Sequence, residues 1–416
     1  MSIGFRHRAA VIGSLLLLSS LGFGAWTQLT LGVPAELNAV HFPVGTQVGY
    51  AVGGVNESLG GYSVVAKTTD GGTTWTTRSA GGLSMLNSVY FKDNNNGYVV
   101  GDMGTAIRIT DGRDTAMGVP DSGTLNNIQF PENGPIGYIG LYPQSGGAKV
   151  LKTTDGGDSW TSIVVGGPSA VSRSCGMATD SSGVVVGDSG LVMATTDGFG
   201  TYAAQDPQTT ADIVAAAFSK ENPNRGYLIG NDLTHGVIRY TDDGGATPWD
   251  SVRCWNVSAF YGVDVPTDDD AYVCGTDGMI LRSVSPHDFY RTTVPTGLTA
   301  TMHGLCFPKG RDTGYAVGAG GTILKTTDGG IPMIPGVAEG RVPTVGRAGI
   351  RVVSNPSRHG IAFRSDADVD VVVLDAAGRV VMSRAATKGL NFLPMSKAGV
   401  YFLKADAQTI RVVLTQ

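Results

Sequence analysis

Few residues in this chain have the type and spacing to do chemistry. Gly187-Asp188-Ser189-Gly190 sets a serine on a turn between glycines, where a nucleophile could be exposed. Such a serine needs a positioned base, and neither His41 nor His303 has a sequence feature tying it to Ser189. The same positions return as Gly101-Asp102-Met103-Gly104, Gly275-Thr276-Asp277-Gly278 and Gly318-Ala319-Gly320-Gly321, without a serine. The segment therefore reads as one copy of a repeated turn. Asp93-Asn94-Asn95-Asn96-Gly97 and Asp268-Asp269-Asp270 offer oxygens to calcium but lack EF-hand spacing, and both fall where a polar turn is expected. Cys175, Cys254, Cys274 and Cys306 form no CxxC or Cys/His metal pattern. Isolated buried thiols are expected, with a Cys254–Cys274 pair as the alternative. No catalytic residue, metal site or cofactor is expected.

What must position any functional group here is a repeat. Lys67-Thr68-Thr69-Asp70-Gly71-Gly72-Thr73-Thr74-Trp75 returns as Lys152-Thr153-Thr154-Asp155-Gly156-Gly157-Asp158-Ser159-Trp160 and, truncated, as Lys325-Thr326-Thr327-Asp328-Gly329-Gly330. Worn copies stand at Thr195-Thr196-Asp197-Gly198 and Thr241-Asp242-Asp243-Gly244-Gly245. Asp can bond amides just downstream, glycine tolerates positive φ, and Trp offers an apolar plate to fold back. Asp70, Gly72, Trp75, Asp155, Gly157, Trp160, Asp328 and Gly330 are thus expected to shape a hairpin corner.

Each corner closes a longer unit. Leu37 to Phe42, Gly49 to Gly53 and Val64 to Lys67 make its first copy; Leu86 to Phe91, Gly97 to Gly101 and Ala106 to Gly112 its second. The strand Gly-Tyr-x-Val-Gly or a close variant identifies seven units in all, ending with Gly314-Tyr315-Ala316-Val317-Gly318. Short strands repeating at roughly 40 to 50 residues are the signature of β-propeller blades. The seventh unit lacks its fourth strand, because Ile331-Pro332-Met333-Ile334-Pro335 follows the corner and no Trp does. Ala25-Trp26-Thr27-Gln28 matches the missing piece, so Trp26 is expected to close the ring.

The 61 glycines, without a collagen-like period, fit an all-β chain with many turns. A net charge of −5 provides no basic stripe, so nucleic acid is not an expected partner. Residues 1–24 read as an export signal: Arg6, His7 and Arg8, the apolar run Ala9 to Leu21, then small residues. No later stretch could span a bilayer as a helix. The expected order is signal peptide (1–24), seven-bladed β-propeller (25–330), Pro/Gly linker (331–348) and a small β-sandwich (349–416).

The strand ending in T-x-D-G-G-x-[ST]-W resembles the Asp-box, or bacterial neuraminidase repeat. The seven-fold pattern from Trp26 to Gly330 is similar to propellers related to the photosystem II assembly and stability factor. Asn355-Pro356, the run Val371 to Val381, Gly399-Val400-Tyr401-Phe402-Leu403 and Arg411-Val412-Val413-Leu414 resemble the type A sorting domain of the type IX secretion system. Thr415-Gln416 departs from the basic ending common in that class. This resemblance implies export across both bacterial membranes, delivery to the cell surface or medium, and the outer-membrane secretion machinery as a partner. Asp-box propellers include sialidases, whose chemistry needs clustered arginines, a Tyr nucleophile backed by a Glu, and an acid. Here Arg108, Arg239 and Arg282 occupy repeat-related positions, and Glu36, Glu57, Glu132, Glu221 and Glu339 sit in loops or linker.

Loops between second and third strands gather on one propeller face. Gly54 to Gly61, Leu141 to Gly147 and Asn231 to Gly236 are the long ones, carrying Tyr62, Tyr142 and His235 beside Asp102, Asp188 and Asp277. These six form the candidate ligand-binding face. The expected function is a monomeric, exported, non-catalytic propeller that binds a protein, peptide or glycan. A secreted sialidase-like glycosidase and an assembly factor for a membrane complex are the alternatives; the latter would need a basic groove for a partner's tail.

Overall fold

The computed structural model describes residues 26–55, 61–80, 84–252, 259–330, 350–352, 360–365, 368–376, 378–395, 397–405 and 408–414. The expected export signal and the linker at 331–348 lie outside the described residues.

Between Thr27 and Thr326 the chain forms seven four-stranded antiparallel sheets. Six are consecutive meanders; blade 2, for example, runs Leu86–Phe91, Asn96–Gly101, Ala106–Thr110 and Arg113–Ala116. The seventh takes its outer strand from the other end of the propeller: Thr27–Thr30 pairs antiparallel with Thr322–Lys325. The first strands of successive blades touch in a closed cycle, blade 7 against blade 1 included. The fold is a seven-bladed β-propeller closed by its N-terminal strand.

The blade motif Gly-Tyr-x-Val-Gly follows from packing. A Cβ on Gly97 would sit 2.4 Å from the ring of Phe91, so the strand opens with glycine. The tyrosine of a second strand reaches the aromatic of the next blade: Tyr50 stacks on Phe91 at 3.5 Å, Tyr98 on Phe130 at 4.7 Å and Tyr272 on Phe307 at 3.9 Å. Tyr315 completes the circle against Phe42, 3.9 Å between centroids. The valines are buried between sheets, as Val99 and Val100 show. The closing Gly101 lies so near the first strand that a Cβ would stand 2.1 Å from the Met85 carbonyl oxygen.

Trp26 is 2% exposed, donates through Nε1 to Thr292 Oγ1 at 3.0 Å, and meets Phe307 edge-on. Its amide donates to the Thr293 carbonyl, which ties the start of the described chain to the end of blade 6.

After residue 349 come a three-stranded sheet (Ile350–Val352, Gly360–Ser365, Gly389–Pro394) and a four-stranded one (Val380–Ala386, Val369–Asp375, Gly399–Ala405, Gln408–Leu414). Ile350, Phe363, Val371, Val373, Leu403 and Val412 fill the core between them, a small β-sandwich.

Candidate ligand-binding face

In a four-stranded meander, connections one-two and three-four lie at one end and two-three at the other. The propeller therefore has a corner face and a loop face, and they are built differently.

On the corner face one turn is repeated. Thr68 Oγ1 accepts from the Gly72 amide at 2.9 Å and donates to Asp70 at 2.8 Å; Asp70 in turn accepts from the amide and hydroxyl of Thr74. Thr153, Asp155, Gly157 and Ser159 repeat this network, as do Thr195, Asp197, Phe199 and Thr201, and Thr241, Asp243, Gly245 and Thr247. These bonds favour the charged carboxylate, holding Asp70 at about 2 and Asp155, Asp197 and Asp243 below the usual range. Asp328 and Gly330 bond Thr326 in the same way. The turn is also a handle between blades: Tyr315 Oη and Lys325 Nζ both donate to the Gly71 carbonyl, and Tyr98 Oη to that of Gly156. The tryptophans that follow these turns cover the sheets, Trp160 edge-on to Phe130 and Trp75 to Phe42.

The loop face is ordered around its channel by bulges. Every first strand carries one unpaired residue opposite the end of its second strand: Asn38, Asn87, Asn126, Arg173, Val214, Tyr261 and His303, one per blade. A bulge re-aims a side chain without ending the sheet. Asn38 donates to the Leu86 carbonyl and Asn87 to that of Leu125, each reaching the next blade. His303 Nδ1 lies 3.2 Å from the Leu37 carbonyl. Apart from His303, weighed above only as a base for Ser189, these residues were not singled out in the sequence, where Leu-Asn at 37–38, 86–87 and 125–126 was the available signal.

The structure brings Tyr62, Asp102, Tyr142, Asp188, His235 and Asp277 to this same end of the blades. Tyr62 and Tyr142 are exposed, and so are Met103, Leu233 and Tyr261, which sequence reasoning missed. Asp102 accepts from Asn87 and Asp188 from Arg173 Nε, so both also hold bulge residues in place. His235 sits 3.5 Å from Asp232, largely in solvent. A cavity of about 660 Å³ opens between blades 4 and 5, lined by Arg173, Asp212, Val214, Asn231, Asp232 and Leu233 among others. Arg173 lies over the Tyr142 ring at 5.9 Å and pairs with Asp212 at 3.2 Å.

The groups with catalytic potential do not assemble. Ser189 occupies a left-handed turn position (φ 54°), and its amide donates to Asp212. His41 lies at the far end of its strand, accepts from the Phe91 amide through Nδ1, and is pushed by burial down to about 3, hence neutral. Arg108 pairs with Asp158, Arg282 with Asp270, and Arg239 bonds the Pro207 and Gln208 carbonyls. Three arginines in different blades with different partners make no carboxylate clamp. Asp93 bonds Asn95 and Asn96 within its own turn, and Asp270 bridges Arg282 and Arg311. Among the described residues no group of three His, Cys, Asp or Glu side chains is placed to hold a metal. Cys175, Cys274 and Cys306 are buried free thiols, with burial pushing Cys175 up to about 12 and Cys306 to about 11. Cys254 lies outside the described residues.

No family model matches the chain, and neither does any curated protein. Solved structures do. YCF48 bound to D1 peptide is similar at 19% identity and a TM-score of 0.56, over 74% of this chain and 98% of that one. YCF48 from Cyanidioschyzon merolae gives 16% and 0.54, over 73% and 98%. The likeness is one of fold. PorZ, an essential surface component of the type IX secretion system of Porphyromonas gingivalis, gives 14% and 0.50, over 89% of this chain and 58% of that one. The chain thus resembles YCF48 as a β-propeller and spans under two thirds of PorZ.

Proposed function

We propose that this protein is a non-catalytic propeller that binds an extended peptide or protein segment across its loop face. The observation that carries this reading is the gathering of five exposed side chains, Tyr62, Met103, Tyr142, Leu233 and Tyr261, at one end of a rigid ring, against Val44 and Tyr202 at the other. Aromatic and apolar side chains on a stiff scaffold bind at low entropic cost. YCF48 bound to D1 peptide, a similar propeller, supports a peptide over a glycan. Among the described residues Arg108, Arg239 and Arg282 do not converge, which leaves the glycosidase alternative without support. The assembly-factor alternative lacks a basic groove: the described loop face carries Asp102, Asp188, Asp212, Asp232 and Asp277, and Arg173 is already paired.

The domain order also belongs to this reading: signal peptide at 1–24, propeller at 25–330 with Asp-box corners, linker at 331–348, and a sorting domain at 349–416 that engages the outer-membrane secretion machinery. The resemblance to PorZ supports a setting at the cell surface. No helix among the described residues is long and apolar enough to cross a membrane. Deleting residues 349–416 and fractionating cells is expected to abolish delivery to surface or medium; unchanged delivery would remove the sorting assignment. For binding, the full chain is screened on peptide and glycan arrays beside the variant Met103→Ala/Tyr142→Ala. Loss of peptide capture at an unchanged melting temperature is expected, and retained capture contradicts the reading.

A further inference from the structure

The cavity between blades 4 and 5 has a chemistry of its own. Arg173, the bulge residue of blade 4, is the cation of its wall, and its Nε and one terminal nitrogen are already given to Asp188 and Asp212. Its guanidinium carbon lies 5.9 Å from the centre of the Tyr142 ring. Asp188 and Asp212 both pair with this guanidinium, and Asp232 lines the same cavity as Arg173 and Asp212, so carboxylates outnumber the one cation. Asp232 is held by the Thr234 amide at 2.6 Å, the His235 amide at 2.7 Å and the Thr234 hydroxyl at 2.9 Å, all through Oδ1. Those bonds keep it ionised well below the usual carboxylate range. Its Oδ2 takes no hydrogen bond among the described residues. Asn231 is fully committed, donating to the Phe260 carbonyl and accepting from the Phe260 amide, so that wall is rigid. The remaining wall is apolar: Val214, and Leu233, which is wholly exposed at the lip.

Resting on the peptide-binding reading above, we propose that this cavity is the specificity subsite of the loop face and accepts an arginine or lysine side chain of the bound segment. An anion would meet an excess of carboxylate, with the charge of Arg173 already offset by Asp188 and Asp212. A small cation would leave Val214 and Leu233 uncovered. A long cationic side chain satisfies both walls, its methylene stem on the apolar residues and its charged head at Asp212 and Asp232. Tyr142, exposed beside Arg173, and Met103, exposed on the blade 2 loop of the same face, offer apolar surface outside the cavity, which fits a peptide with apolar residues flanking the cation rather than a free polyamine.

The test uses the full chain and fluorescein-labelled peptide pools with Leu and Tyr flanks and a fixed central Arg, Lys, Gln or Glu, read by anisotropy. The Arg and Lys pools are expected to bind about tenfold tighter than Gln, the size of one charge-assisted contact. D232N, isosteric and on an exposed loop, is expected to reduce that preference to about threefold or less, and added salt to narrow it. D212N serves as the second variant, and melting temperature reports folding in both. M103A is expected to weaken all pools alike and leave the ratio intact. Equal affinity for Arg and Gln, preference for Glu, or a preference untouched by D232N overturns the subsite. If all pools bind equally and M103A weakens them, the peptide-binding face stands and only the subsite falls; if no pool binds, both fall.

Discussion

The two ends of this propeller are made from the same seven blades and obey different rules. At the corner face the same side chains make the same bonds in blade after blade: Thr68, Thr153, Thr195, Thr241 and Thr326 each accept from the residue four positions on. At the loop face the backbone feature is constant and the side chain is not. Each blade has its bulge, yet the residue it presents is Asn in three blades and then Arg, Val, Tyr and His. Repetition at one end holds the ring together; variation at the other is what the proposed recognition would draw on.

That contrast can be broken at its strongest point first. Trp26→Ala is expected to cost about 3–5 kcal/mol, typical of a buried aromatic, because it removes the plate between blades 6 and 7 and the anchor of the closing strand. An unchanged thermal midpoint would mean the ring does not depend on its N-terminal strand. Thr153→Val leaves the buried Gly157 amide without its acceptor and is expected to cost about 1–3 kcal/mol while peptide capture at the loop face persists. Loss of capture without loss of stability in that variant would place function at the corners.

Acid provides a smaller and more general probe. Asp70, Asp155, Asp197 and Asp243 all have folded pKa values depressed by bonds to their own turns. Their contribution is present above the ordinary carboxylate pKa near 4 and is lost as pH falls through the folded values, about 2 for Asp70. Urea midpoints are therefore expected to fall between about pH 4 and pH 2, and Asp155→Asn to flatten that slope slightly. A midpoint flat over this window would show that the corner carboxylates do not couple to folding.

The corner face was legible in the sequence because its physics is local. A Thr, an Asp two residues on and glycines just after form a closed network without help from another blade. Where the local chemistry slips, so does legibility. In blade 4 Phe199 takes the second glycine's place at φ 67° and still donates its amide to Thr195. In blade 5 the carboxylate in the network is Asp243, not Asp242, and Pro248 displaces Trp249 by one position, yet Trp249 is fully buried beside Phe218. The candidate face was legible only in part. Tyr62, Tyr142 and His235 could be placed by loop length, but a bulge has no residue signature beyond the glycine opposite it. Arg173, Val214, Tyr261 and His303 look like ordinary strand residues, and the cavity beside Arg173 exists only because two blades meet there.

The most direct test of the division between faces is a paired measurement of melting temperature and capture of the Arg-centred peptide pool. Met103→Ala/Tyr142→Ala on the loop face is compared with Asp70→Ala/Asp155→Ala on the corner face, both in the full chain. The loop pair is expected to lose at least about tenfold in affinity with stability within about 0.5 kcal/mol of the parent. The corner pair is expected to melt earlier and bind as before. A corner pair that stops binding while still folded, or a loop pair that binds undiminished, would contradict the assignment.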